Sequence, residues 1–435
     1  MKLARASAQI LLFALVLCVA LCSQAGELFA GMGRAELPRP SDGPLGGYGG
    51  WRDRRAQDVL DPPEARALVL EQDGRRVALV SLDIVIVRPN LRDRLLQIAS
   101  TFELDALILT ATHTHSGPGG YIPGRVPARL TSGSFNPATL RSLVTAALRA
   151  VELALRDLAP ARVGSGVAEI PLARNRRTRD GPRETDLPIL RFEFPSGRAP
   201  IVLIAYGAHP TVLSPKSRAY SADYVGAARA WLAEHGWRSL FLPGPLGDQE
   251  PVSQLGPLWP RDLAKQHAQV DEIGTVLGKA VLWHARRLEP TSGAQLSILE
   301  RWVDAPGTPK LRRFCTVWWL GPFLRGSIRS FFSQRVPIHA LRIGDVNFLA
   351  LPAEPSSAIG QQIRDAVDTG HPTFVVAHAN DWLGYVLTPD AYRDGGYEAC
   401  LSFYGADFGP WLVEEAVSTL RLLDSRAPAM RRNAR

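Results

Sequence analysis

Short apolar runs rich in β-branched residues alternate along this chain with longer stretches in which apolar residues recur every three or four positions. The runs cover residues 65–70, 77–87, 106–112, 187–194, 201–208, 346–352 and 373–379. Their length and near-continuous apolarity predict buried strands. The stretches 138–158 and 222–236 carry the helical spacing, as do 262–287, 355–368 and a last one near 411–424. Strands alternating with helices predict an α/β fold: a single large domain of mixed β-sheets flanked by helices. No internal repeat is visible in the sequence.

Two segments break the alternation. Residues 171–188, PLARNRRTRDGPRETDLP, are polar and dense in arginine, as expected of a surface or cleft loop. Residues 314–332, FCTVWWLGPFLRGSIRSFF, gather Trp318, Trp319, Phe323, Phe331 and Phe332 beside Arg325 and Arg329. That mixture suits peripheral contact with a bilayer or a lipid entrance, and equally suits a core helix.

The first residues read as a leader. Lys2 and Arg5 precede an apolar run over 9–22 and a small-residue site at Ser23-Gln24-Ala25, so 1–25 is expected to be a signal peptide and the protein exported, periplasmic or secreted. Lipoprotein anchoring at Cys22 ranks below this, because Leu21 is a poor lipobox residue. Cys315 and Cys400 are the cysteines beyond the leader, and an oxidising compartment would allow them to pair. Without a CxxC, a thiolate metal site is disfavoured. The formal charge is +8, carried mostly by arginine; no nucleic-acid-binding motif accompanies it, so nucleic acid is not an expected partner. Residues 426–435 form a basic tail.

Candidate chemistry sits where the strands end. In ALILTATHTHSGPGGY (106–121) a buried strand runs into His113 and His115, which project to one side because side chains two apart share a strand face. A second strand ends at His209 and a third at Glu354. Two imidazoles and a carboxylate at strand ends make a plausible zinc set with room for water. His235, His267, His284, His339 and His371 are read as structural or surface groups.

These segments together resemble the catalytic domain of the neutral, non-lysosomal ceramidases. The resemblance rests on GMGRAEL and GGYGG, VALVSLDIV, TATHTHSGPGGY, ARNRRT, GAHPTVL with YSADYVG, GPLGD, LPAEP and GYVLTPDAYRDGGYE, in that order along residues 26–425. It implies zinc held by His113, His209, Glu354 and Tyr385. It further implies His115, Arg176 and Tyr397 meeting substrate, with Arg176 in the family's Asn-Arg motif. The implied reaction is hydrolysis of the N-acyl amide bond of ceramide or a related N-acyl lipid.

The sequence departs from the family at GDQEP, where Gly247, Asp248, Gln249, Glu250 and Pro251 stand for a Gly-Asp-x-Ser-Pro motif. Glu250 occupies the serine position, and a carboxylate cannot replace a hydroxyl donor unless protonated. The catalytic set is therefore taken as Asp248, Glu250 and His115. The family's immunoglobulin-like C-terminal domain has no counterpart in the sequence. Two alternatives stay open: a catalytically silent lipid- or surface-binding protein on the same scaffold, and an unrelated HxH metallohydrolase on a TIM barrel.

Overall fold

The computed structural model describes residues 26–49, 54–124, 131–312, 315, 329–367 and 370–433. The leader 1–25 and most of the aromatic segment 314–332 lie outside the described residues.

Among the described residues three open mixed sheets and three two-stranded ladders build the fold, which matches the α/β expectation and contains no eight-stranded parallel barrel. Each sheet follows the same plan. Three antiparallel strands come first, then a helix, then a fourth strand parallel to the third. In the first sheet these are Phe29–Glu36, Glu64–Gln72, Arg75–Leu82, the helix Pro89–Ala99 and Ala106–Ala111. The second uses Arg162–Glu169, Asp186–Glu193, Ile201–Tyr206, the helix Tyr224–Glu234 and Arg238–Pro243. The third uses Leu296–Asp304, Arg335–Ile343, Val346–Ala350, the helix Ser357–Ala366 and Thr373–Val376. The sequence shows no repeat, yet the topology repeats three times.

The inner faces of all three sheets share one core, with Leu68, Leu79 and Ile108 from the first, Phe192 and Leu203 from the second, and Leu341 and Phe348 from the third. Helices cover the outer faces. Pro137–Arg156 and Phe408–Asn433 lie over the first and third sheets, and Leu263–Ala285 over the second. The last helix runs on through 426–433, so the backbone there continues the helix.

The opening strand of each sheet is missing from the apolar runs, as are Arg238–Pro243 and Arg335–Ile343. Phe29–Glu36 carries Gly31 and Gly33, and a Cβ at either would come within 2.2 Å of a backbone oxygen of the helix Pro137–Arg156. Glycine lets that helix lie directly on the strand, at the expense of the strand's apolar signature. Arg162–Glu169 likewise contains two glycines, and Leu296–Asp304 has polar and half-exposed positions. Strand Arg75–Leu82 stops short of the apolar run 77–87 because Asp83 turns the chain. Its buried carboxylate accepts from the Glu64 amide and from both terminal nitrogens of Arg229.

The parallel pairs point their carboxyl ends at one another. Thr110 bridges Ala379, and the Ala377 amide donates to the Pro243 carbonyl at 2.8 Å. The loops leaving the three fourth strands therefore meet on one axis, in the position where α/β sheets present their chemistry. Cys315 and Cys400 form a disulfide with a Cα–Cα distance of 5.7 Å.

Candidate metal centre

Loops from all three sheets converge on one buried cluster. His113 follows the strand Ala106–Ala111, His209 follows Ile201–Tyr206, and Glu354 follows Val346–Ala350. Glu354 pairs in parallel register with Tyr385, which brings the phenol to the same place. All four residues are buried. The Glu354 Oε1 lies 2.9 Å from His209 Nε2 and 3.5 Å from His113 Nε2, and the Tyr385 hydroxyl lies 3.4 Å from His209 Nε2.

Backbone carbonyls fix the tautomers. His113 Nδ1 donates to the Val85 carbonyl at 2.6 Å, and His209 Nδ1 to the Gln249 carbonyl at 2.9 Å. A carbonyl only accepts, so in each neutral ring Nε2 is left with a lone pair facing the cluster. Burial holds both imidazoles below their ordinary pKa, which keeps them uncharged and able to ligate. Glu354 Oε2 is held by the Trp382 indole at 3.0 Å.

The donors suit a zinc ion. Bonds of about 2.1 Å in tetrahedral geometry put donor atoms about 3.4 Å apart, close to the spacings above. His378 adds a donor group that the sequence reading passed over. Its ring stacks on His113, with centroids 4.1 Å apart and 19° between planes, and its Nε2 is 3.7 Å from Glu354 Oε2. Donor atoms of His113, Glu354 and His378 all lie within 4.8 Å of one another, so this trio can hold a metal ion. Both ring nitrogens of His378 are buried without a hydrogen-bond partner. His378 lies two residues past the strand Thr373–Val376 just as His113 lies two past Ala106–Ala111, and that strand-end pattern is the signal that would have found it.

His115 and Arg176 flank the cluster. His115 Nε2 is 3.4 Å from His113 Nε2, its Nδ1 has no partner, and its ring packs edge-on against Tyr48. Gly47, at φ 74°, makes room for it: a Cβ there would fall 2.4 Å from the imidazole. Arg176 leaves the short strand Ala173–Asn175 and reaches Glu398 at 2.8 Å, the Gly247 carbonyl at 3.0 Å and the Tyr385 hydroxyl at 3.2 Å. Burial opposes its charge, but Tyr385, Glu398 and Glu354 more than offset this and the guanidinium stays protonated. Tyr397, 62% exposed, stands at the mouth with its ring 5.9 Å from that of Tyr385.

The GDQEP segment lies beside the cluster rather than in it. Asp248 is buried, and its carboxylate accepts from the Asn175 amide, the Ser357 amide and hydroxyl, and Gln249. It fastens the paired short strands Ala173–Asn175 and Gln249–Pro251 to the helix Ser357–Ala366. Glu250 pairs in register with Arg174, and its carboxylate accepts from Arg174 Nε at 2.6 Å at the solvent edge.

Comparison with known proteins shows what the chain is similar to. Residues 31–240 match the family model for neutral/alkaline non-lysosomal ceramidase, N-terminal. The chain is 23% identical to the neutral ceramidase of Mycobacterium tuberculosis, over 93% of this chain and 77% of that protein. It is 24% identical to the neutral ceramidase of Pseudomonas aeruginosa, over 80% of this chain and 64% of that protein. The crystal structure of the Pseudomonas aeruginosa neutral ceramidase superposes with a TM-score of 0.78 at 20% identity, covering 92% of this chain and 75% of that one. Residues 31–240 are therefore recognised as the N-terminal region of the neutral/alkaline non-lysosomal ceramidase family, and the chain is similar to neutral ceramidases over most of its length.

Proposed function

We propose that this protein is an exported, zinc-dependent amidase that hydrolyses the N-acyl bond of ceramide or a related N-acyl lipid. The observation that carries the reading is the convergence of His113, His209, Glu354 and Tyr385 on one buried point beside a fixed guanidinium. A zinc ion held there would supply Lewis acidity, polarising the amide carbonyl and acidifying an attacking water.

The chain's own groups supply the rest. Arg176, braced by Glu398 and the Gly247 carbonyl, presents fixed positive charge where a carbonyl oxygen would gain negative charge. His115 is kept neutral by burial, and its unpartnered Nδ1 is a group that can hydrogen-bond the substrate amide. Tyr397 meets the substrate as it enters. Export is part of this reading: the Cys315–Cys400 bridge supports an oxidising compartment, and the leader supports cleavage after Ala25.

The Arg174–Glu250 pair favours one other reading. A carboxylate held by a guanidinium has no proton to donate, so a silent lipid-binding protein is the alternative. Two measurements decide. Metal analysis of the purified protein is expected to give about one zinc per chain. A panel of ceramides and N-acyl amines is expected to show turnover by the native protein. If neither it nor Glu250→Ser cleaves anything while both bind lipid, the amidase reading fails.

A further inference from the structure

We propose that residues 255–265 form a docking surface for a lipid bilayer, seated beside the mouth of the metal centre. The proposal deepens the lipid-amidase reading and rests on it for the nature of the substrate.

The loop between the strand Gln249–Pro251 and the helix Leu263–Ala285 exposes large apolar side chains: Leu255 is 62% exposed, Trp259 50% and Leu263 40%. A floppy loop would need no explanation, but this one is built. Gln266 and Gln269 are buried, and their side-chain amides donate to the carbonyls of Pro260, Gly256 and Pro257. Glu272 accepts from the Gln254 amide and the Ser253 hydroxyl. The Trp259 indole donates to the Thr211 carbonyl at 2.8 Å, and its backbone sits at φ 64°. Left-handed backbone is unfavourable for a bulky side chain. The structure thus fixes a tryptophan in a strained conformation with half its surface in water. A scattered apolar side chain is ordinary; several held out together on a rigid loop beside a site are not.

Position and charge single out the occupant. From Trp259 a line of rings leads inward. Its indole lies 5.9 Å from the Tyr48 ring, which lies 4.6 Å from His115, whose Nε2 is 3.4 Å from that of His113. The patch is therefore continuous with the catalytic cleft. Exposed Arg261 and Lys265 border it, with Lys216 on the neighbouring loop, and the acid among them, Asp262, is used to cap the helix through the Ala264 amide. Apolar side chains with an indole at their centre and cations at their rim fit the headgroup boundary of an anionic bilayer. An apolar protein partner would have no use for the cations.

The test is co-sedimentation of the full mature chain with vesicles of phosphatidylcholine containing roughly one-quarter phosphatidylglycerol. The native protein is expected to bind, and Leu255→Ser combined with Trp259→Ser to lower the partition coefficient about tenfold or more. Trp283→Ser serves as the control. Trp283 is also half-exposed, but it lies toward the far end of the same helix, about 30 Å along its axis. Its replacement should leave binding unchanged. Absence of vesicle binding by the native protein, equal loss in the control, or no loss in the double variant at matched thermal stability would each overturn the proposal. Cleavage of a detergent-dispersed substrate without vesicle binding would overturn docking alone. Binding without cleavage would overturn the amidase reading and leave docking standing.

Discussion

His113 and His378 hold the same place in two of the three sheets, two residues beyond the fourth strand, yet their surroundings differ. Both have left-handed backbone, φ 70° and 53°, and they stack face to face. His113 has its Nδ1 tied to a carbonyl and Nε2 aimed at Glu354; His378 makes no hydrogen bond through either nitrogen, its Nε2 lying 3.7 Å from Glu354 Oε2. The second sheet has Pro245 at the corresponding place, which carries no donor at all. Topology delivers a residue to the axis in each sheet. The hydrogen bond behind it decides whether that residue is oriented for ligation.

Removing the oriented histidine is the hardest blow to this contrast. His113→Ala should lower metal affinity by more than the 10–100-fold typical of outer partners, with about 100-fold as the lower bound; competition with a chelator measures it. Equal loss from His378→Ala would erase the distinction between the two. Next comes the support behind Glu354. Trp382→Phe removes the indole donor to Oε2 and should weaken metal binding about 10–100-fold; an unchanged chelator titration would show that the carboxylate needs no second anchor.

A smaller effect tests the untied ring itself. His378→Gly relieves left-handed strain and two unpartnered nitrogens, so metal-free protein should gain about 1 kcal/mol in thermal or urea unfolding. A loss of that size would mean that its stacking on His113 outweighs both. The smallest effect is pH-dependent. Burial depresses the His378 pKa below its ordinary value of 6.5, so below that pH the unfolded chain takes up a proton that the native ring refuses. Native stability from this group is full above about 6.5 and falls as pH drops. The advantage of His378→Gly should therefore widen below pH 6.5. Asp61 and Asp223, raised to about 6 by burial, act in the opposite sense, favouring the fold at low pH and losing that as pH rises through 6. Both proteins carry them, so they cancel in the difference. A gap that stays constant between pH 5 and 8 would contradict the assignment.

Several parts of this were legible in the sequence. The buried strands Glu64–Gln72, Ala106–Ala111 and Ile201–Tyr206 read as apolar runs because both faces of each are covered. His113, His209 and Glu354 were legible as the polar residues at which such runs end. The opening strands were not, since Gly31 and Gly33 answer to an overlying helix rather than to a strand pattern. The strand-end position of His378 was legible in the same way as that of His113, but nothing in its strand hints that the two lie on one axis.

By itself the sequence determined which residue types stand at the ends of which apolar runs, because burial and strand period are local properties written along the chain. The tertiary structure alone decided that three such ends share one axis, that His378 stacks on His113, and that Glu250 turns to Arg174 at the edge of the site. Those are contacts between residues far apart in the chain. They depend on how three separately built sheets pack around a common core, which no local pattern encodes.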